Sequence, residues 1–195
     1  MIFWRILDNK LYNVSEVNKL GFEESEGLRI PDEYLDNKEF VIMRTCHGIG
    51  DWGILSSMPR LLKEKYPDCK VYLPSVKLLE QLFNQFSENW SSWNNPFVNV
   101  NTIFDNNPYV DGYIDDISGE VFHDHYRIYD DTNVDVPLVE QMLKFWQFTE
   151  DEYKDSQPEL YWSDEEKKLG DKIIEEYIGD NEFGCLLISD RYDYS

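Results

Sequence analysis

From residue 40 onward, short continuous apolar runs alternate with segments in which apolar residues recur at helical spacing. This pattern predicts strands that alternate with helices. Continuous apolar runs at 40–43 (FVIM) and 71–73 (VYL) are typical of buried parallel strands. After each run, apolar residues recur every three or four positions, as they do on the buried face of a helix. This order favours an α/β fold, with a Rossmann-like, mainly parallel sheet and helices on both faces.

Capping residues and prolines indicate where several of the helices begin. Ser75 follows the second strand and can cap the next helix through its side-chain oxygen. Pro59 lies inside the first helical pattern, so it predicts either a kink or a second helix start. Ser163 and Glu166 form a capping-box pattern at the start of the last helix. The apolar stripe of that helix, predicted to face inward, comprises Leu169, Ile173, Ile174 and Tyr177.

Short strand patterns and changes of composition divide the chain into four predicted segments. The runs VNTIF (100–104) and GYIDDI (112–117) have strand-like composition, and EVFHDHYRIYD (120–130) alternates as a strand does. FGCLLIS (183–189) has the pattern of a buried strand. The segments are a preamble that contains a hairpin (1–40), a Rossmann-like domain (41–155), a connecting segment and helix (156–182), and the first strand of a truncated nucleotide-sugar-binding domain (183–195).

The charge of the chain limits the partners that it can bind. Its 195 residues include 39 acidic and 18 basic side chains, for a formal net charge of -21. The sequence has no run of Lys and Arg, so the phosphates of nucleic acids and anionic lipid headgroups would be repelled. With 42% apolar and 15% aromatic residues, the chain has the composition of a protein that folds around a core. We therefore expect a globular protein that binds no nucleic acid.

Cysteine usage and the lack of long apolar segments predict a cytoplasmic protein. The three cysteines, Cys46, Cys69 and Cys185, are widely spaced and form no C-x-x-C pair, as expected for buried thiols in a reducing compartment. The apolar N-terminal run ends at Asp8, which is too soon for a secretory signal. No uncharged apolar stretch approaches the ~20 residues needed to span a bilayer. We expect no transmembrane segment.

A glycine string, G-x-G-x-x-G, lies between the first strand and the helix that follows it. Gly48, Gly50 and Gly53 have the spacing of a dinucleotide-binding loop. That fingerprint also needs an acidic residue at the end of the second strand to hold the ribose, and residues 73–75 are Leu-Pro-Ser. Asp51 lies within the turn, where its carboxylate would repel a pyrophosphate. The pattern therefore disfavours NAD or NADP binding.

The block 44–73 resembles the opening of the heptosyltransferase-like glycosyltransferases, of the ADP-heptose:lipopolysaccharide type. In that family, a strand ending in Arg leads through a small-residue loop to Gly-Asp. A helix with an early proline follows, with leucines and basic residues, and then a Tyr-Pro-Asp-like stop precedes a second strand. The matching residues are Arg44, Gly50 and Asp51, Pro59, Leu61 and Leu62, 66–68 and 70–73. Residues 106–115 and 157–177 resemble later segments of the same family.

This resemblance implies the N-terminal, acceptor-side half of a glycosyltransferase with the GT-B fold, in which two Rossmann-like domains face each other across a cleft. A nucleotide sugar is the implied donor, and no metal or further cofactor is implied. The residue that matches Asp51 is the family's base, which deprotonates the acceptor hydroxyl as it attacks the anomeric carbon with inversion. The residues alone also allow Asp51 to act as a helix cap that offsets the helix dipole.

Other residues of the loop and of a later strand are candidate substrate contacts. The loop glycines let the backbone approach a sugar or phosphate, although a tight turn also requires glycine for itself. The HDH pattern places two imidazoles on one strand face, a geometry that suits a metal, but Arg127 on the same face argues against a cation. Arg44, at the end of the first strand, can pair with Asp51 or with a donor phosphate. The candidate substrate-binding residues are Arg44, His47, Gly48, Gly50, His123 and His125, and no metal ligand is assigned.

The acidic charge also bears on the acceptor. Family members that act on phosphorylated lipid cores need basic residues around the acceptor, whereas this chain is strongly acidic. We therefore expect a carbohydrate or glycan acceptor that is not strongly anionic. If 183–189 begins a second domain, most of the donor-binding domain lies beyond the sequence, and the alternative function is a non-catalytic α/β module that binds a sugar or a partner.

Overall fold

The chain divides into two compact units, residues 1–161 and residues 162–195. Both come from a computed structural model. The residues that it describes are 4–7, 10–13, 30, 32–36, 38–44, 49–84, 101–118, 120–123 and 138–179.

A parallel three-stranded sheet organises the first unit. Strands β3 (Glu39–Val41), β4 (Lys70–Pro74) and β5 (Gly112–Ile114) lie in that order, and both neighbouring pairs are parallel. Pairing continues beyond β3, because the Ile42 N–H donates to the Tyr72 carbonyl at 3.0 Å. The prediction of an α/β fold with a parallel sheet is confirmed for these three strands.

The helices that follow β3 and β4 begin where the sequence places capping and proline residues. Helix α2 (Ile49–Gly53) is separated from helix α3 (Met58–Lys65) by a turn, and Pro59 lies in the first turn of α3. Pro59 therefore marks a second helix start. Helix α4 (Val76–Asn84) is capped by Ser75, whose Oγ accepts from the Leu78 N–H at 3.2 Å. The other helices described in this unit are α1 (Asp32–Leu35), α5 (Asn101–Phe104), α6 (Leu138–Phe145) and α7 (Glu150–Tyr153).

Helix α5 corrects the strand prediction for VNTIF. Ile103 and Phe104 are buried on this single turn, and the Phe104 ring meets Trp52 edge-on with centroids 6.4 Å apart. A strand would send these two adjacent side chains to opposite faces. Burying both of them against the core therefore outweighs the weak strand preference of Val, Thr, Ile and Phe. GYIDDI, by contrast, contains strand β5 as predicted.

The core lies around Phe40 of β3. Its ring centroid is 5.3 Å from Tyr66, 6.1 Å from Trp146 and 6.2 Å from Tyr34. These contacts join the sheet to α1 and to the ends of α3 and α6, so four elements share one aromatic cluster. Each large apolar side chain buried in this way contributes about 1.5–3 kcal/mol relative to an exposed one. Other fully buried core residues are Ile42, Leu62, Val71, Leu73, Leu78 and Leu79.

A second sheet is antiparallel and includes the N-terminal segment. Strands β1 (Trp4–Leu7) and β2 (Lys10–Asn13) pair as the predicted hairpin, and β1 also pairs with β6 (Glu120–His123). The sheet order is β2-β1-β6. The N-terminal preamble predicted as a separate segment therefore shares a sheet with a strand from the predicted Rossmann-like domain.

Helix α8 (Asp164–Tyr177) belongs to the second unit and begins with the predicted capping box. The Ser163 Oγ accepts from the Glu166 N–H at 3.2 Å, and the Glu166 carboxylate accepts from the Ser163 N–H at 2.7 Å. The prediction that the apolar stripe of this helix faces inward is wrong. Its four residues are 42–75% exposed: Leu169, Ile173, Ile174 and Tyr177. The strand predicted at 183–189 lies outside the described residues.

Asp111 joins the amino ends of β4 and β5. Its carboxylate accepts from Lys63, from Lys70 and from the Val71 N–H, while its own N–H donates to the Val71 carbonyl. Burial acts to raise the pKa of Asp111, but these three hydrogen bonds outweigh it and lower the pKa to about 2. The charged carboxylate is therefore favoured in the folded protein.

Replacing Asp111 with Asn is expected to lower the free energy of unfolding by about 1–2 kcal/mol at pH 7, because charge-assisted bonds are lost from a side chain that is 19% exposed. An unfolded Asp has a pKa of about 3.9. The contribution is therefore complete above that value and disappears as the pH falls through 2. Urea unfolding at pH 7 and at pH 2 measures it. Asp151→Asn is the control, since that side chain is 92% exposed. An equal loss at both pH values would contradict the prediction.

Candidate functional site

The carboxyl ends of β3, β4 and β5 lie at one edge of the parallel sheet, which we call the carboxyl edge. Open α/β sheets bind their ligands at this edge. Helix α2 follows β3, Ser75 and α4 follow β4, and Asp115 follows β5. The fold thus brings the G-D-W-G segment (50–53) and two later loops to the same edge.

Helix α2 contains Asp51 and is anchored by Trp52. Asp51 is the third residue of α2, so it does not occupy the N-cap position; the placement of its side chain lies outside the described part of the structure. Trp52 is 1% exposed and packs against Phe104. At the next residue, the last of the helix, the Gly53 carbonyl accepts from the Ser56 Oγ at 2.6 Å. These two contacts therefore fix the C-terminal end of α2, directly after Asp51.

Gly50 and Gly53 leave the backbone of α2 uncovered. Both are helical, and neither has the positive φ that favours glycine. A Cβ atom added at either position would meet no other atom within 4 Å. Each glycine lowers helix stability by about 1 kcal/mol relative to alanine. Within the described residues, neither backbone conformation nor packing accounts for this cost. Glycine at these two positions would permit a close approach of a ligand to the backbone.

Arg44 lies in the core rather than at the surface of the edge. The residue is 1% exposed, and its Nη1 lies 3.8 Å from the Met142 Sδ of α6. A buried guanidinium holds neighbouring elements together through its hydrogen bonds and packing. The position of Arg44 thus suits fixing the end of β3 against α6, and its contact with a substrate stays a prediction.

Of the remaining candidate residues, the structure describes the backbone of His123. His123 lies in β6, which belongs to the antiparallel sheet and not to the parallel sheet. His47, Gly48 and His125 lie outside the described residues, so their predicted contacts are not tested. Among the residues that the structure describes, no group of His, Cys, Asp and Glu is arranged to hold a metal ion.

The carboxylate of Asp115 lies at the start of α4, a position at which the sequence predicted no functional residue. Asp115 follows β5, and its pKa is lowered by a hydrogen bond with Ser75 and by the charge of Lys77, whose Nζ lies 3.5 Å away. The positive end of the α4 dipole thus already has a carboxylate beside it. Asp115 would repel a second anion at this corner, and the Lys77 ammonium offsets part of that repulsion. An acid directly after the third strand of a parallel sheet is the sequence signal that indicates such a position.

The comparisons with known proteins identify no relative. No model of a protein family matches the chain, and neither does any curated protein or solved structure. Within the part of the chain that the structure describes, no helix is long and apolar enough to cross a membrane.

Proposed function

We propose that the chain is the acceptor-side part of a metal-independent, inverting glycosyltransferase of the GT-B class. It transfers a sugar from a nucleotide-sugar donor to a hydroxyl group of a carbohydrate acceptor. The observation that carries the proposal is the short helix α2 at the carboxyl edge, with Asp51 between two glycines whose open sides leave the backbone accessible. The likeness of 44–73 to the heptosyltransferases supports it.

In the proposed reaction, Asp51 acts as the general base. Its carboxylate takes the proton of the acceptor hydroxyl while that oxygen attacks the anomeric carbon of the donor. The bond from the anomeric carbon to the nucleotide breaks on the opposite side, and its electron pair leaves with the nucleotide phosphate. A carboxylate that is partly desolvated when a cleft closes becomes more basic, which suits this role.

The acceptor of the proposed reaction is neutral. The net charge of -21 and the Asp115 carboxylate at the start of α4 both disfavour an anionic group at the carboxyl edge. A neutral glycan offers hydroxyl groups without this repulsion. The same repulsion disfavours a pyrophosphate beside α4, and the absence of NAD and NADP binding stays a prediction.

A transfer assay tests the proposal on the full product of the gene. Incubation with a panel of nucleotide sugars and neutral oligosaccharides is expected to release nucleotide only when an acceptor is present. The rate is expected to be unchanged by EDTA, because no step uses a metal. Coupled nucleotide detection and mass spectrometry of the glycan provide the measurement. Glycan binding without release from any donor would contradict the proposal and favour a non-catalytic sugar-binding module, and loss of activity with EDTA would contradict the metal-independent mechanism.

A further inference from the structure

The segment 157–161 lies along the corner between α2 and α3. Its Glu159 N–H donates to the Ser56 Oγ at 2.7 Å, and the same hydroxyl donates to the Gly53 carbonyl at 2.6 Å. Ser56 itself is completely buried. One buried hydroxyl thus connects the backbone of this segment to the last residue of α2.

The side chain of Glu159 holds the segment to α3 as well. Its carboxylate accepts from the Arg60 Nε at 2.8 Å and from the Tyr161 Oη at 2.7 Å. Arg60 also bonds Glu64 one turn later in α3, and the Tyr161 ring meets Tyr109 edge-on at 6.1 Å. Both side chains of the Arg60–Glu159 pair are about one fifth exposed (23% and 21%). A charge-assisted pair that is partly shielded from water is worth more than a fully exposed one.

The protonation of this cluster agrees with its hydrogen bonds. The bond with Glu159 is the main cause that raises the pKa of Arg60. Burial raises the pKa of Tyr161, and the bond with Glu159 raises it further. At neutral pH the phenol is therefore a hydrogen-bond donor and the guanidinium is charged, so both can donate to the Glu159 side chain.

Helix α2 needs support of this kind. It has five residues, two of which are glycines, and an isolated helix of that length does not form in water. Trp52 packs α2 against the core. The Ser56 and Glu159 contacts fix its C-terminal end from the surface, and the described residues offer no second segment that bonds Ser56.

We infer that 157–161 form a strap, that Glu159 is its latch, and that the latched strap positions α2 for the chemistry of the carboxyl edge. The inference rests on the proposed function only in treating α2 as part of the site. Glu159 is a positioning residue, because it acts on Asp51 through Ser56 and Gly53.

Hydrogen exchange of the full chain without any substrate tests the strap. In Glu159→Ala, the amides of Ile54, Leu55, Ser56 and Met58, which donate to carbonyls of 50–55, are expected to exchange on the order of tenfold faster. The control is Glu152→Ala, which removes a similar partly buried pair with Lys65 at the far end of α3. It is expected to speed exchange at 149–154 and to leave the four corner amides unchanged.

Two further variants keep the test decisive if Glu159→Ala does not fold. Glu159→Gln keeps an acceptor oxygen for Arg60 or Tyr161, so exchange at the corner should lie between that of the wild type and that of Glu159→Ala. Ser56→Ala removes the bridging hydroxyl and should speed the same four amides. Unchanged corner amides, or an equal rise over the whole chain in Glu159→Ala and Glu152→Ala, would overturn the inference. Because no donor or acceptor is present, this result is independent of whether the chain transfers sugar.

Discussion

Replacing Asp51 with Asn is expected to lower sugar transfer by a factor on the order of 100 to 10,000, while the melting temperature stays nearly unchanged. The amide has the size of the carboxylate but cannot accept the proton of the acceptor hydroxyl. Asp51 lies inside α2 and not at its N-cap, so no cap is lost. Initial transfer rates and thermal unfolding of the two purified proteins provide the measurement.

Two control variants separate a catalytic role of Asp51 from an electrostatic one. Asp51→Ala also removes the base, and it is expected to reduce transfer as strongly as Asp51→Asn. If Asp51 only offset the dipole of α2, both variants would keep their activity and would lose about 0.3–1 kcal/mol of stability. Asp68→Asn changes an exposed acid before β4, away from the carboxyl edge, and is expected to leave transfer unchanged. Full activity in Asp51→Asn would exclude Asp51 as the base, and His47 would be the next candidate.

The elements of the parallel sheet could be predicted because local signals and tertiary packing agree there. The apolar runs at 40–43 and 71–73 predict strands, and the core buries Phe40, Val71 and Leu73. The Ser75 cap and the Ser163–Glu166 capping box depend on residues within one turn of each other, so the sequence shows them directly. Pro59 allowed either a kink or a second helix start, and the structure has the helix start.

Predictions that depend on distant partners were less successful. Residues 101–104 of the VNTIF run form helix α5, where Phe104 packs against Trp52, about fifty positions earlier in the chain. The apolar stripe of α8 has helical spacing, and its Leu169 is nevertheless 58% exposed. Periodicity identifies the apolar face of a helix but not whether a neighbour covers that face.

The candidate site shows the same division between local and long-range information. The glycines and Asp51 of α2 are visible as a motif, and their place at the carboxyl edge follows from the parallel topology. The burial of Arg44 against α6 and the contact of Glu159 with Ser56 join residues about a hundred positions apart. No local pattern in a single sequence encodes such pairs.

Trp52→Ala is expected to have the largest effect on stability, lowering the free energy of unfolding by about 3–5 kcal/mol. The side chain is 1% exposed and fills the space between α2 and Phe104, so its removal leaves a cavity beside a helix that has little stability of its own. Trp52→Phe keeps an aromatic ring at this position and is expected to cost less than half as much. Urea unfolding monitored by far-ultraviolet circular dichroism measures both variants without relying on tryptophan fluorescence.

The matched control for Trp52 is Trp162→Ala, because that side chain is 56% exposed. Its removal is expected to change the free energy of unfolding by no more than about 0.5 kcal/mol. The comparison separates the burial of Trp52 from the general effect of losing an indole. If Trp52→Ala cost as little as Trp162→Ala, Trp52 would not anchor α2. The G-D-W-G segment would then have to be held at the carboxyl edge by the Ser56 and Glu159 contacts alone. In that case Glu159→Ala by itself would release the segment, and adding Trp52→Ala to it would cause little further loss of stability.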